Sequence, residues 1–413
     1  MKEKFYVMLN QVVLMFGSLL VLKMLTNYLS INQFGIYSLI LSLLALVSIL
    51  PFNSFSQSYI RLFSFYHRKR SVSEFIYVAR KWFMTFTLLY AVLTMSIIFI
   101  FSSDYDWKLV LISYIFFMTE VLKTTLRGII NSSRNRKDVV LSSLIEIILK
   151  LFLIYIINIF YILNIYLVVF IFITSNVFSI FPLRLNVPKK PIKKFESIIE
   201  KRIVSFSLPL IVWGGFGWAR DMSNRWYLEQ FVDTSSVAIF TVLASVALIL
   251  PTAIQSLVNA YYIPILYEKV NDKTTSISDF FDKFAIRYIF VFFILFFILK
   301  LYSKEIISLF ASSEYTFYSA FLPWMMIAYS LYVLSSIMAL EIFAAKKTSY
   351  LLIPNIVPGV ISILLGYFMI NTYGLNGALY SYLATYLLYA ILMFICVYSF
   401  RKRLGFEKII KKN

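Results

Sequence analysis

The chain has 413 residues, of which 61% are hydrophobic and only 14% are charged, and its mean hydropathy is +0.81. A water-soluble domain has about 45–50% apolar and about 25% charged residues, so this composition excludes a soluble protein and indicates an integral membrane protein. In a soluble protein the net charge of +19 would suggest a nucleic-acid partner, but here membrane topology explains it and no nucleic acid is expected.

Membrane spans follow one another along almost the whole chain. A spanning helix needs about 20 mainly apolar residues, and charged or turn-rich links divide the chain into about twelve such stretches. They are 5–27, 36–58, 82–102, 108–129, 139–161, 164–183, 203–226, 236–262, 284–302, 319–343, 350–371 and 376–400. The first stretch is too long for the apolar part of a signal peptide, so we interpret it as an uncleaved span.

The basic residues test this division, because Lys and Arg favour cytoplasmic links. With the N-terminus inside, most of the 39 basic residues fall on inner segments, and the outer links hold only Lys108 and Lys304. One miscounted span would destroy this alternation. Both termini are therefore predicted to be cytoplasmic, where the positive charge meets the anionic headgroups of membrane lipids.

Several charged residues remain inside the predicted spans, where each costs about 2.5–3.5 kcal/mol at a helix centre. Lys108, Arg127 and Arg287 stand at span ends and are counted with the links. The remaining bases are Lys23, Lys123, Lys150, Arg220, Arg225 and Lys300, and the acids are Glu120, Glu146, Asp221 and Glu341. Such residues usually face the interior of a helix bundle or a wet cavity. Lys300 and Glu341 lie near span ends and are expected to reach the interface.

Two pairs have the spacing of neighbours on one helix face: Glu120 with Lys123 at i,i+3, and Glu146 with Lys150 at i,i+4. The plainer interpretation is that each pair neutralises itself. The alternative is that Lys123 and Lys150 are secondary substrate-binding residues and that Glu120 and Glu146 are coupling carboxylates.

The segment GWARDMSNRWY (217–227) carries more positive than negative charge within an apolar span. Asp221 can neutralise only one of Arg220 and Arg225, and no acid lies in the predicted span of Lys23. Excess positive charge in a low-dielectric site is suited to an anion. Lys23, Arg220 and Arg225 are therefore the predicted binding residues for an anionic substrate, with Asp221 restraining one arginine.

The two halves of the chain resemble each other weakly. Residues 31–44 (INQFGIYSLILSLL) align with 232–245 (VDTSSVAIFTVLAS), and the dipeptide Leu-Pro follows in both halves, at Pro51 and Pro251. Proline removes a helix hydrogen bond, so helix kinks are predicted at both positions. The repeat predicts two six-helix bundles around a central cavity. They would be residues 1–183 and 203–400, with a basic cytoplasmic linker 184–202 and a basic cytoplasmic tail 401–413.

The chain resembles the Wzx-type polysaccharide flippases, the O-antigen and capsule exporters of the multidrug/oligosaccharidyl-lipid/polysaccharide (MOP) superfamily. The resemblance covers nearly the whole chain and rests on the order and spacing of short segments. They are FGIYSL, Arg61 near SQSYIR, SLPLIVWGGFGWARDMSNRWYLEQF, VAIFTVLASVA, YYIPILYEKV and AAKKTSYLLIPNIVPGVISILLGYFMINTYGLNGALYSYLATYLL.

This resemblance implies a V-shaped pair of bundles around a cationic cavity in the bacterial cytoplasmic (inner) membrane. The implied substrate is an undecaprenyl-diphosphate-linked oligosaccharide, moved from the cytoplasmic to the outer leaflet, with polysaccharide polymerase machinery as a further partner. The acid–Arg pair of the family appears here as Asn224-Arg225, which leaves Arg225 freer to meet a diphosphate.

Two alternatives remain open: an ion-coupled multidrug antiporter of the same superfamily, and a membrane polysaccharide polymerase or ligase. The antiporter would favour unpaired carboxylates over bases, and the enzyme would be expected to have a substantial outer loop. No Gly-rich phosphate loop followed by Lys-Ser/Thr occurs, so ATP hydrolysis is not expected. No cofactor, metal or catalytic residue is predicted. The energy is expected to come from an ion gradient, with H⁺ or Na⁺ as the candidate ions, from the membrane potential or from consumption of the substrate downstream.

Overall fold

The structure, a computed structural model, describes residues 2–68, 71–101, 106–133, 135–183, 193–272, 277–344 and 348–410. Within these ranges the chain is almost entirely helical and has no β-strand. Ten continuous helical stretches of the described residues are long and apolar enough to cross a membrane, and some of them, such as Ile31–Phe63, join several of the elements given below. The predicted all-α polytopic membrane fold is therefore confirmed. Residues 184–192 of the predicted linker and 411–413 of the predicted tail lie outside the described residues.

The chain forms two compact units, Met1–Gly215 and Phe216–Asn413. Unit 1 comprises α1 (Lys2–Tyr28), α2 (Ile31–Val47), a π-helical segment (Ser48–Asn53), α3 (Ser54–Arg68), α4 (Val72–Phe101), α5 (Trp107–Ser132), α6 (Arg136–Phe160), α7 (Ile165–Ile180) and the first part of α8 (Lys193–Phe231). The boundary between the units falls inside α8.

Unit 2 comprises the rest of α8, then α9 (Thr234–Asp272), α10 (Ile277–Phe310), a 3₁₀ helix (Ser313–Phe321), α11 (Leu322–Met338), α12 (Leu340–Ala344), a 3₁₀ helix (Thr348–Leu351) and α13 (Leu352–Ile410). The assigned helix α13 is broken at Gly374, whose φ of 56° and ψ of −132° are not helical. This break falls between the predicted eleventh and twelfth spans. At 16 residues α7 is shorter than a typical span, so the count of twelve stays a prediction.

Helices in unit 1 begin at polar capping residues that the sequence supplies. The side chain of Ser30 accepts a hydrogen bond from the backbone N–H of Gln33 at 3.3 Å, before α2. In the same way Asn164 accepts from Leu167 N–H at 3.0 Å and begins α7 after the break YILNIYL. Such caps satisfy the amide groups that a helix leaves open at its first turn.

Many large apolar side chains point outwards. Phe99, Ile162 and Phe317 are 85%, 90% and 84% exposed. Soluble monomers rarely expose contiguous apolar surface on this scale, and in a lipid bilayer such side chains are at no disadvantage. The exposed surface thus supports the membrane assignment independently of the hydropathy.

The two predicted kink prolines differ in their surroundings. Leu50, immediately before Pro51, has φ −113° and ψ 99°, outside the helical region, and the segment around it is π-helical. A residue that precedes proline is disfavoured in the helical region, which accounts for this departure. Pro251 lies within α9, which is helical from Thr234 to Asp272. A bend at Pro251 stays a prediction.

Close helix packing in unit 2 positions the polar side chains of α8 beside α11 and α13. Helix α11 packs against α9, α10 and α13. Helices α8 and α13 approach at Gly359, where a Cβ atom would lie 2.6 Å from the backbone oxygen of Phe216. The absence of a side chain at Gly359 is therefore what permits this approach.

Candidate functional site

The charged residues that the sequence singles out assemble mainly into one buried cluster in each unit. In unit 1 the α5 pair Glu120 and Lys123 meets the α6 pair Glu146 and Lys150. In unit 2 the cluster is built on α8. Lys300 is exposed on α10.

Lys123 is the centre of the unit 1 cluster and is only 1% exposed. Its Nζ donates to Glu120 Oε2 at 2.7 Å, to Glu146 Oε1 at 2.8 Å and to Asn176 Oδ1 at 2.9 Å. An ammonium group has three donors, and all three are used. The predicted i,i+3 pair is therefore present, and Asn176 of α7 completes it.

Glu146 receives two further cations. Lys150 Nζ donates to Glu146 Oε1 at 2.5 Å and lies 4.3 Å from the ring centroid of Phe172. Arg127 Nη1 lies 2.7 Å from Glu146 Oε2, while its Nε donates to Ser142 Oγ at 2.9 Å. Three cations thus meet two carboxylates, which leaves one positive charge over.

The unit 1 cluster ties α5, α6 and α7 together, and its members are largely occupied with one another. Arg127 was predicted to belong to a cytoplasmic link, and Asn176 was not among the predicted site residues. The spacing within one helix predicts Glu146 with Lys150, but it cannot reveal a partner on another helix. Substrate or coupling roles for Glu120, Lys123 and the α6 pair stay predictions.

In unit 2, Asp221 pairs with Arg220. Arg220 Nε donates to Asp221 Oδ1 at 2.8 Å and Nη2 donates to Oδ2 at 3.3 Å, a two-point contact with the carboxylate. Arg220 is only 4% exposed, whereas 34% of the Asp221 side chain is exposed. Asp221 therefore restrains Arg220, one of the two arginines that the sequence left as alternatives.

Aromatic rings surround the Arg220 guanidinium. Its Cζ lies 4.8 Å from the ring centroid of Tyr332, 5.6 Å from that of Tyr386 and 4.7 Å from that of Tyr389. The hydroxyl of Tyr386 also donates to Asp221 Oδ1 at 2.6 Å. The first ring comes from α11 and the other two come from α13.

None of these tyrosines is among the residues that the sequence singled out. A signal was available, since Tyr329 and Tyr332 are spaced i,i+3, and Tyr382, Tyr386 and Tyr389 are spaced i,i+4 and i,i+3. These spacings place each set on one helix face. The two faces meet, with ring centroids 5.4 Å apart between Tyr329 and Tyr382.

Arg225 has a different environment although it belongs to the same helix. It is 8% exposed, its Nε donates to Thr241 Oγ1 at 3.0 Å, and its Nη1 donates to the backbone oxygen of Asp221 at 3.0 Å and contacts Met222 Sδ at 2.7 Å. All three acceptors are neutral. Within the described part of the chain, Nη2 has no acceptor and no carboxylate forms an ion pair with Arg225.

Asn224, which stands beside Arg225 in the sequence, is engaged elsewhere. Its Nδ2 donates to the backbone oxygen of Ala378 at 3.3 Å, and its Oδ1 accepts from the Ser381 hydroxyl at 3.4 Å. Asn224 thus joins α8 to α13. Lys23 lies half-buried on α1 in unit 1, and its substrate-binding role stays a prediction.

No protein-family model matches the chain, and no curated protein matches it in sequence. Solved structures do match. The lipid II flippase MurJ in an inward-closed conformation has a TM-score of 0.70 and 15% identity, over 96% of this chain and 87% of that chain. An inward-facing multidrug resistance MATE family transporter of the MOP superfamily has a TM-score of 0.66 and 14% identity, over 97% of this chain and 99% of that chain.

A MOP superfamily transporter from Pyrococcus furiosus has a TM-score of 0.61 and 13% identity, over 97% of this chain and 94% of that chain. Identities this low establish the fold and not the substrate. Over nearly its whole length, the chain has the fold of MurJ and of MOP superfamily transporters.

Proposed function

We propose that the protein is a flippase that moves an undecaprenyl-diphosphate-linked oligosaccharide from the cytoplasmic to the outer leaflet by alternating access. The observation that carries this proposal is Arg225, a buried guanidinium whose described acceptors are all neutral. The likeness in fold to a lipid II flippase supports the same substrate class.

A buried charge without a counter-charge is unfavourable by several kcal/mol, and a ligand of opposite charge relieves this penalty. Guanidinium matches phosphate oxygens in geometry, because its N–H groups form a planar fork. With Nε and Nη1 held by the protein, Nη2 of Arg225 remains to donate to a ligand. A diphosphate supplies both the negative charge and the acceptors.

The finer parts of the proposal rest on the sequence and on its resemblance to the Wzx-type flippases. The substrate serves O-antigen or capsule synthesis in the bacterial cytoplasmic membrane, with polymerase machinery downstream. Both termini are cytoplasmic, the bundles are 1–183 and 203–400, and the movement is coupled to H⁺ or Na⁺. Lys23 adds a second positive charge for the diphosphate.

An ion-coupled multidrug antiporter is the second candidate, because MATE transporters share the fold and because the Asp221 carboxylate lies among tyrosines. A carboxylate with aromatic rings would suit an organic cation. Here the Arg220 guanidinium already occupies the position that an organic cation would take. This favours an anionic substrate over a cationic one.

The test is transport of a fluorescent undecaprenyl-diphosphate oligosaccharide across proteoliposomes by wild type, Arg225→Gln and Arg225→Lys. Charge-assisted hydrogen bonds contribute about 1.5–3 kcal/mol, so Arg225→Gln should slow transport roughly tenfold or more, and Arg225→Lys should retain part of the rate. Lys300→Gln is the matched control, since it removes an exposed base of a predicted span and should leave transport unchanged.

Equal transport by wild type and Arg225→Gln would exclude Arg225 as the diphosphate site. Absence of transport by wild type with several oligosaccharides and an imposed ion gradient, together with transport of organic cations, would replace the flippase by the antiporter.

A further inference from the structure

The surroundings of Arg220 have the chemistry of a ligand-binding site. Asp221, Tyr332, Tyr386 and Tyr389, which we call the cage, present one carboxylate and three aromatic rings to the guanidinium. Carboxylates and aromatic rings recognise cations, and aromatic cages bind quaternary ammonium groups in this way. We infer that the cage is a binding site for small organic cations, and that Arg220 fills it from within the chain.

The geometry favours a planar cation in particular. Arg220 makes a two-point contact with Asp221 through Nε and Nη2, at 2.8 and 3.3 Å. Its Nη1 is buried and, among the described residues, has no hydrogen-bond partner. The positive charge on this side is therefore stabilised by the rings and not by an acceptor, which is a cation–π arrangement.

The cage is held in place by contacts that do not involve Arg220. Tyr386 donates to Asp221 at 2.6 Å, and its ring centroid lies 5.6 Å from that of Tyr332, which lies 5.6 Å from that of Tyr389. Tyr386 and Tyr389 are buried, at 1% and 3% exposure. The cage is thus expected to persist when the Arg220 side chain is shortened, and the partly exposed Asp221 side chain gives a cation access to it.

In wild type a free cation competes with a tethered one. A short tether keeps the Arg220 guanidinium at a high effective concentration beside the cage. Its displacement by a free cation would also leave a buried charge without its carboxylate, which is strongly unfavourable, so a free cation does not displace Arg220. Arg220 therefore acts as a specificity residue that closes this site to organic cations. This inference does not depend on the flippase proposal, because it concerns a different ligand and is tested by binding without transport.

The experiment measures the thermal unfolding of purified full-length protein in detergent with guanidinium, tetramethylammonium or sodium chloride. About 50 mM salt is used, far below the molar concentrations of guanidinium that unfold proteins. Relative to sodium chloride, Arg220→Ala should show a saturable rise in Tm of about 2–4 °C with guanidinium and a smaller rise with tetramethylammonium. Wild type should show no rise with either cation. The double variant Arg220→Ala with Asp221→Asn should lose the rise.

Arg225→Ala is the matched control, because it removes the same side chain from the same helix where the acceptors are neutral. A rise as large in this control would overturn the inference, as would no rise in a folded Arg220→Ala protein or an undiminished rise in the double variant. If Arg220→Ala does not fold, Arg220→Gln takes its place in every comparison, and the same results decide.

Discussion

Arg220 and Arg225 show that two identical side chains on one helix can have opposite electrostatic situations. Arg220 meets a carboxylate and three rings, whereas Arg225 meets a hydroxyl, a backbone oxygen, a thioether and, at 5.9 Å, the ring of Phe240. Adjacent residues on a helix do not normally face each other, so the contact between Arg220 and Asp221 depends on packing against α11 and α13. The excess charge of this segment therefore resides on Arg225.

Replacement of Glu146 by Gln is predicted to be among the most damaging changes of a single side chain in unit 1. Glu146 contacts Lys123, Arg127 and Lys150, and its loss leaves those buried cations with Glu120 as their one carboxylate in the cluster. Removal of one partner of a buried ion pair costs about 3–5 kcal/mol. The free energy of unfolding in detergent micelles, measured by tryptophan fluorescence, should fall by this amount.

Glu120→Gln provides the comparison. Glu120 contacts only Lys123 among these cations and 19% of its side chain is exposed, so water compensates part of the loss. The expected decrease in the free energy of unfolding is about 1–2 kcal/mol. Equal losses in the two variants would show that Glu146 has no central role in the cluster.

Among the contacts between helices, the approach of α13 to α8 permits a steric test. In Gly359→Ala the new Cβ would lie 2.6 Å from the backbone oxygen of Phe216 and 2.9 Å from its Cβ, so the helices must separate. Overpacking of this kind costs about 1–3 kcal/mol. The apparent Tm should fall, as measured by the loss of monodisperse protein in size-exclusion chromatography after heating.

Gly217→Ala, on α8 itself, is the control for that prediction. A Cβ at Gly217 meets no atom within 4 Å, and alanine favours a helix over glycine by about 1 kcal/mol. We expect an unchanged or higher Tm. A decrease like that of Gly359→Ala would mean that loss of glycine flexibility, and not steric contact, is responsible.

The sequence predicts the helices well, because apolar length and turn residues are local properties. The break YILNIYL is an example, since α6 ends at Phe160 and Asn164 caps α7. Helix ends are predicted less well. The ninth span was predicted as 284–302, whereas α10 begins at Ile277, because hydropathy detects the apolar part of a helix and not its polar extension. The predicted end at 302 coincides with Tyr302, whose φ of −115° and ψ of 24° are not helical.

The candidate site was predictable only in part, because spacing along one helix is a local property and contacts between helices are not. Glu146 with Lys150 follows from spacing within one helix, and the structure contains that pair. The contact of Lys123 with Asn176, and the rings of α11 and α13 around Arg220, depend on which helix faces meet. The spacing of residues along one helix does not indicate which faces of different helices meet.

The topology of the whole molecule is testable by chemical labelling. Ile162, between α6 and α7, is 90% exposed and is predicted to lie outside, whereas the exposed Arg80 is predicted to lie inside. In a Cys396→Ser background, Ile162→Cys in right-side-out vesicles should react with a membrane-impermeant maleimide, and Arg80→Cys should react only after permeabilisation.

The reverse pattern would contradict the predicted orientation. Labelling of both sites in intact vesicles, with an unlabelled Cys396→Ser parent, would contradict the number of spans between them.

The charged pairs of unit 1 also have a consequence for the way the protein is made. Helices of a nascent chain pass from the ribosome into the bilayer in order, so α5 arrives before α6, and both arrive before Asn176 has been synthesised. Each charged residue opposes this partitioning by about 2.5–3.5 kcal/mol. Because Glu120 lies beside Lys123 and Glu146 beside Lys150 on their own helices, each helix carries its neutralising partner during translation. The i,i+3 and i,i+4 spacings therefore allow these helices to be inserted one at a time, before the contacts that later unite them can form.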